Sequence, residues 1–440
     1  DPNFTIEGTA RSLGQTLYES VPNDRTYSGS ERLIPGAPAG TLPFDDQNSD
    51  RLTAIVEIDM GSGLTLTSQT SYLKWDSKRV VDLDLVAFRL LDLQDGERNK
   101  VLSQEIRISS DESSRFSYMV GVFYYHNDYS LRRGVASDLG LSLDALSAVR
   151  TNSWSAFASG RYDLSDHFAL RAGIRQSWED KRATYDISGN LALPIARTRL
   201  PTTSSNELDG NIGLDFTPNG RTLIYASYSR GSKAGGYQST PDSLDVAAYG
   251  TEAAYTKELG AKFKFGGDMW LQFALFDTIV KNFQAGRLIV QPGFPLPQAV
   301  ISNVDARTTG AEASGRLAVG PGLSLTASVT YADSRFTEGL LSEVAPGVFA
   351  PEIRDGMRLP RAPRWSGQFG ALYETSLSDT LEFQLRGTIR YSSSFDLQFR
   401  TSQPLAPRSG QRALVDLEAR IASESGWTLA VLGPNLTNVR

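Results

Sequence analysis

LEFQLRGTIRYSS, residues 381–393, alternates from end to end. Leu381, Phe383, Leu385, Gly387, Ile389 and Tyr391 share one parity; Glu382, Gln384, Arg386, Thr388, Arg390 and Ser392 share the other. Successive side chains of a strand point to opposite faces, so this stretch has one apolar face and one polar, charged face. A soluble sheet would lay the apolar face on a second layer of strands or helices. Whether such a layer exists depends on the rest of the chain.

The rest repeats the pattern. HFALRAGIRQSWED sets Phe168, Leu170, Ala172 and Ile174 against Arg171, Arg175 and Glu179. NELDGNIGLDF sets Leu208, Gly210, Ile212, Leu214 and Phe216 against Glu207, Asp209, Asn211 and Asp215. GLSLTASVTYADSRF and ALVDLEARI alternate in the same way, and helical periodicity is hard to find. The chain reads as all-β, with many half-apolar strands and nothing to cover them.

Composition narrows the classes. The 440 residues are 40% hydrophobic and 21% charged, with net charge −6, and mean hydropathy is −0.27. No stretch approaches the roughly 20 apolar residues of a membrane helix. A membrane β-barrel escapes that test, because its alternating faces cancel in any window. No basic block or face is present, so nucleic acid is not an expected partner. Cysteine is absent, which removes disulfides and thiolate zinc sites and fits an oxidising compartment. The opening DPNFTIEGTA lacks the basic and apolar regions of a signal peptide. Either a leader has been removed, or the chain is cut from something longer.

The connections alternate between two kinds. Short ones are DMGSG, SSDESS, DLSD, TPNG, GGD, VGPG, TSLSD and SESG. Long ones are expected over 76–99, 128–149, 182–205, 231–254, 285–302, 337–362 and 393–411. Together they predict about sixteen antiparallel strands of roughly 8–14 residues from Arg51 onward, with residues 1–50 resembling an outer loop. Tight turns at one end and long loops at the other is the asymmetry of a transmembrane β-barrel with periplasmic turns and extracellular loops. An Arg or Lys facing hydrocarbon at the midplane costs about 2–4 kcal/mol, so the apolar rows are assigned to lipid and the charged rows to the lumen. Aromatics near strand ends predict interfacial girdles: Tyr72, Trp75, Tyr124, Tyr125, Trp178, Tyr225, Tyr228, Trp270, Tyr331, Tyr391 and Trp427.

Several stretches resemble the barrel of a TonB-dependent outer-membrane receptor. They are VLSQEIRISSDESSRFSYMVGVFYYHND, LIYASYSRGSKAGGYQ, YTKELGAKFKFGGDMWLQFALFDTIVKNFQ, ISNVDARTTGAEASGRL, LPRAPRWSGQFGALYE and the terminal WTLAVLGPNLTNVR. Each is degenerate alone; their order and spacing over residues 64–440 carry the likeness. The resemblance implies a Gram-negative outer-membrane importer, not an enzyme, that takes up a scarce bulky nutrient such as a ferric siderophore. Cobalamin, haem and glycans are the other substrate classes it implies. It implies a monomer seated in outer-membrane lipid, with no resident cofactor or metal, energised by the TonB complex through a plug domain. Neither the plug nor its TonB-contacting box is found here. The family barrel has about 22 strands, so residues 51–440 are expected to form a partial barrel lacking its first few strands and its last. A plugless diffusion porin is the alternative, and an outer-membrane hydrolase a third.

His126 and His167 are separated, and no serine and carboxylate are placed beside either, so both read as solvated or interfacial. DLDLVAFRLLDLQDGE lacks the calcium-loop register, and SRGSKAGGYQ has Lys233 before its glycines, opposite to a phosphate loop. Ligand contacts are expected from outer loops, with Tyr237, Tyr249, Arg287, Phe294, Phe349 and Arg354 as candidates.

Overall fold

The computed structural model describes residues 3–13, 44–82, 92–137, 140–190, 195–239, 247–289, 298–345, 348–397 and 408–438. Among them every regular element is a strand. The wall begins with β1 (Asn3–Leu13), β2 (Phe44–Gly61), β3 (Leu64–Asp82), β4 (Asp92–Ser110), β5 (Phe116–Ala136), β6 (Leu143–Asp163) and β7 (Phe168–Gly189), with the short β8 (Ile195–Arg199) beside β7. It continues with β9 (Thr203–Asn219) and β10 (Thr222–Lys233). A small hairpin follows, β11 (Gly236–Tyr237) with β12 (Ala248–Tyr249). Next come β13 (Glu252–Lys264), β14 (Trp270–Ile289), β15 (Gln298–Gly320) and β16 (Leu323–Phe336), then a second hairpin, β17 (Leu340–Ala345) with β18 (Val348–Ile353). The wall resumes with β19 (Trp365–Ser378) and β20 (Leu381–Ser392). The pair β21 (Phe395–Asp396) and β22 (Arg408–Ser409) precedes β23 (Arg412–Ser423) and β24 (Thr428–Gly433).

The wall is one 18-stranded sheet. Each long strand pairs antiparallel with the next in the chain, as in a barrel wall. From β2 onward it holds the sixteen long strands expected, and β1 and β8 complete the count. All eight tight connections fall where turn chemistry placed them. In DMGSG, Gly61, Ser62 and Gly63 have φ of 80°, 56° and 75°, a left-handed run that glycine adopts freely. In VGPG, Gly322 has φ 71° and lies against the Glu374 carbonyl, where a Cβ would collide.

Strand length is the main correction. β4 to β7 run 19 to 22 residues, well beyond the roughly 8–14 expected from membrane crossing alone. The expected loops 76–99 and 128–149 are mostly ladder: β3 and β4 stay paired to Asp82↔Asp92, and β5 and β6 to Val135↔Leu143. Here the outward parity has turned polar, so the alternation fades while the backbone hydrogen bonds continue. The segment 1–50 is likewise not all loop, since Asn3–Leu13 pairs with β2 and β2 itself starts at Phe44, ahead of Arg51.

The facing is as assigned. Ile174, Leu208, Ile212, Leu385 and Ile389 are exposed on the outward parity. Across the wall the inward parity carries ion pairs: Arg171–Asp215 at 2.7 Å, Arg133–Asp95 at 2.8 Å and Arg390–Asp416 at 2.5 Å. So much outward apolar area would be costly in water, at about 25 cal/mol per Å²; in a bilayer it is the lipid contact.

Two aromatic rows bound this band. At the turn end Phe116 packs on Tyr162 (6.3 Å between centroids) and Phe168 on Phe216 (4.7 Å). At the loop end Tyr124 packs on Trp154 (4.4 Å) and Tyr331 on Trp365 (4.8 Å). The rows lie 8 to 10 residues apart along β5, β6 and β7. At about 3.3 Å per residue and about 40° of tilt, that spans roughly 20–25 Å, the height of an outer-membrane apolar band. Four expected girdle members are not in it. Trp75, Tyr125, Tyr225 and Trp270 have the opposite parity to Tyr72, Tyr124, Ile224 and Leu271 and face the lumen, where the Tyr225 hydroxyl donates to Glu258 Oε1 at 2.6 Å. Trp154 and Trp365 belong to the girdle and were not among the expected members.

Candidate functional site

Above the loop-end girdle the inner wall turns apolar. The inward parity of β7 carries Ala183, Tyr185 and Ile187, and β6 adds Ala145, all buried. Small inward residues are shielded by their neighbours, but large inward side chains of a wide barrel are fully buried only where something folds over them, as at Tyr185, Phe336, Ile353 and Val304. Here the cover is the β11–β12 hairpin, with Ala247 inside the cluster and Tyr237 packed against it.

Hydrogen bonds pin this hairpin to several strands. The Tyr185 hydroxyl donates to the Gln238 carbonyl at 2.5 Å, and Lys181 Nζ donates to the Gly235 carbonyl at 2.8 Å. The Gln238 side chain pairs with β15 as a strand would: Nε2 donates to the Ile301 carbonyl at 2.8 Å, and Oε1 accepts from the Ile301 N–H at 2.9 Å. From β14, Gln284 Nε2 donates to the Ala234 and Gly250 carbonyls at 3.0 and 3.1 Å. The glycines of SRGSKAGGYQ serve this close approach. A Cβ on Gly236 would stand 2.6 Å from the Tyr249 hydroxyl, and one on Gly235 would collide with the Tyr249 carbonyl.

A second inward cluster joins Ala285, Val304, Ala306, Phe336 and Ile353, with Ile353 supplied by the β17–β18 hairpin. Arg287 and Glu352 form an ion pair beside it with side chains only 10% and 8% exposed, and Arg287 Nε also donates to Ser302 Oγ at 3.1 Å.

The candidate residues fall into two groups. Tyr237 and Tyr249 sit on adjacent strands of the first hairpin. The Tyr237 hydroxyl accepts from Thr203 Oγ1 at 2.7 Å and donates to the Pro201 carbonyl at 2.5 Å. Tyr249 is half-buried, and that burial pushes its phenol above the usual range, so it stays a neutral hydrogen-bonding group. Arg287, Phe349 and Arg354 belong to the second group. Arg287 is matched by Glu352, whereas Arg354, next after β18, is exposed and has no side-chain partner among the described residues. Phe349 lies opposite Glu343 in the ladder, and Phe294 is outside the described residues. Tyr185, Gln238, Gln284 and Glu352 shape the site without having been singled out in the sequence, although Gln238 and Gln284 close two of the resembling stretches; they matter through long-range bonds.

Charge elsewhere in the lumen is largely paired. The buried Asp95 of the acidic stretch is bound by Arg79 at 2.7 Å and Arg133 at 2.8 Å, which leaves it poorly suited to calcium. Among the described residues no cluster of three or more His, Asp or Glu is placed to hold a metal. His126 faces outward, with Nδ1 at 2.7 Å from Asn152 Oδ1 and Nε2 at 3.1 Å from Asp128 Oδ2. His167 sits in a turn, its Nδ1 at 3.1 Å from the Thr217 carbonyl. The site offers phenols, amides and a free guanidinium, an arrangement for binding.

The family model described as "TonB dependent receptor-like, beta-barrel" matches residues 2–436. Among solved structures, the ferric yersiniabactin uptake receptor FyuA of Yersinia pestis is 18% identical with a TM-score of 0.76, covering 90% of this chain and 57% of its own. The siderophore receptor PiuA of Acinetobacter baumannii is 17% identical with a TM-score of 0.70, covering 90% and 61%. The copper transporter OprC is 14% identical with a TM-score of 0.69, covering 90% and 60%. The chain thus spans about three fifths of the length of these receptors. Sequence, wall and girdles agree: the chain belongs to the TonB-dependent receptor β-barrel family.

Proposed function

We propose that this chain is the wall and ligand-capturing mouth of a Gram-negative outer-membrane receptor that imports a scarce, bulky nutrient, a ferric siderophore being the first candidate. The family match over residues 2–436 carries this reading, and the two hairpins folded against the inner wall give it a place to act. Ligand enters from the long-loop side and meets Tyr237, Tyr249 and the β17–β18 hairpin. Arg354 supplies a free positive charge for an anionic chelate. TonB, acting through a plug region, supplies the energy, and the receptor works as a monomer. The names of FyuA, PiuA and OprC span siderophores and copper, so the wall alone does not select the substrate.

The test is uptake by the host strain under iron limitation, with and without the receptor gene. Accumulation of a labelled ferric siderophore should require both the receptor and an energised inner membrane. A diffusion porin would instead let the full receptor conduct as a stable open channel of uniform size in planar bilayers. That behaviour, with uptake indifferent to de-energising, would overturn the proposal.

A further inference from the structure

Asn282, within β14, has φ 55°, a left-handed conformation that residues other than glycine rarely adopt inside a strand. It lies in a β-bulge. The β14–β15 ladder runs to Val280↔Ala306 and resumes at Phe283↔Val304, so β14 has two residues where β15 has one. β15 clamps the bulge from across the ladder. The Asn282 N–H donates to Asp305 Oδ1 at 2.8 Å, and Asn303 Nδ2 donates to the Asn282 carbonyl at 2.7 Å. Lys281 Nζ holds the second Asp305 oxygen.

The extra residue reverses the parity of all that follows it on β14. Side chains alternate along a strand, so an unbulged β14 would set Phe283, Ala285 and Arg287 on the face opposite Val280. With the bulge they share its face. Val280, Phe283 and Ala285 pack in the cluster that Ile353 of the β17–β18 hairpin completes, and Arg287 meets Glu352 of the same hairpin. Gln284, on the other face, holds the base of the β11–β12 hairpin at the Ala234 and Gly250 carbonyls. β15 divides in the same way. Val304 joins the Ile353 cluster, whereas Asn303 accepts from the Gly250 N–H at 2.7 Å and donates to the Gly250 carbonyl at 3.1 Å. Above the bulge, one arm of two strands therefore carries a different hairpin on each parity.

We infer that Asn282 is a positioning residue of the ligand mouth: its left-handed bulge sets the register that seats both hairpins, so the two seat and unseat together. That these hairpins form the mouth is taken from the proposed function. The test reads the ligand-free receptor, so a failure here leaves that function standing.

The experiment follows amide hydrogen exchange in the full receptor in neutral detergent, with barrel assembly read separately by heat-modifiable gel migration. The Gly250 N–H reports the first hairpin, and the Gly356 N–H, which donates to the Phe336 carbonyl at 2.9 Å, reports the second. Asn282→Val puts a β-branched side chain where φ is positive and should raise exchange about tenfold at both amides in an assembled barrel. Asn282→Gly keeps the conformation and both backbone bonds, and should leave both amides within about twofold. Gly235→Ala, which meets the Tyr249 carbonyl of the first hairpin, should raise exchange at Gly356 as well as at Gly250. If Asn282→Val does not assemble, Asp305→Ala, which removes the acceptor of the Asn282 N–H, should raise both about fivefold. Exchange unchanged at both amides, exchange raised at only one of them, or Asn282→Gly as disruptive as Asn282→Val would overturn the inference.

Discussion

Leu385 and Arg386 are neighbours with opposite environments: Leu385 is exposed on the lipid side, and Arg386 stands opposite Glu418 on the lumen side. Leu385→Arg should therefore cost about 2–4 kcal/mol of membrane stability, whereas Arg386→Leu removes a charge from a wet lumen at little cost. Folded fractions measured by heat-modifiable migration should separate the two; equal losses would contradict the facing. Arg287 poses a second single-residue test. Removing its partner with Glu352→Ala leaves a nearly buried guanidinium uncompensated, a cost of about 3–5 kcal/mol for such pairs. Replacing both, as Arg287→Met with Glu352→Leu, should restore much of the loss, read as protease resistance of the β17–β18 hairpin. The facing was legible in the sequence because parity alone sets it. The Arg287–Glu352 pair was not, since 65 residues separate its partners and only the folded wall brings them together.

Among the elements, the turns were the most legible and the upper strands the least. Gly, Asp, Asn and Ser mark the tight connections through their own backbone preferences, so each could be placed without knowing the fold. The upper parts of β3 to β7 were read as loops because hydrophobic alternation records a hydrocarbon boundary, and above the girdle the outward side no longer faces hydrocarbon. The parity errors at Trp75, Tyr125, Tyr225 and Trp270 have a related cause: an aromatic near a strand end signals an interface only if its parity faces outward. The β11–β12 hairpin depends on glycine for its seat. Gly235→Ala should push β11 off the Tyr249 carbonyl and weaken ligand capture, with wall assembly unchanged. Faster hydrogen exchange at Gln238 and Ile301 would report the displaced hairpin. Unaltered exchange and full ligand affinity would show that the hairpin's seat does not shape the site.

At the scale of the molecule, a half-apolar strand has meaning only when counted with its neighbours. One copy of LEFQLRGTIRYSS could belong to a soluble sandwich; sixteen in sequential antiparallel order, with turns on one edge and hairpins folded inward at the other, make a membrane wall. Family membership and the aromatic rows agree with that reading, and the candidate binding mouth takes its position from it. The chain contains no cysteine, so single cysteines can be introduced without background. Placed in turn at positions 383 to 390 of the receptor in native outer membranes, they should react in strict alternation. Odd positions should take a lipid-soluble maleimide and resist a charged, water-soluble one, and even positions should do the reverse. Labelling that ignores parity, or odd positions open to the water-soluble reagent, would contradict the account.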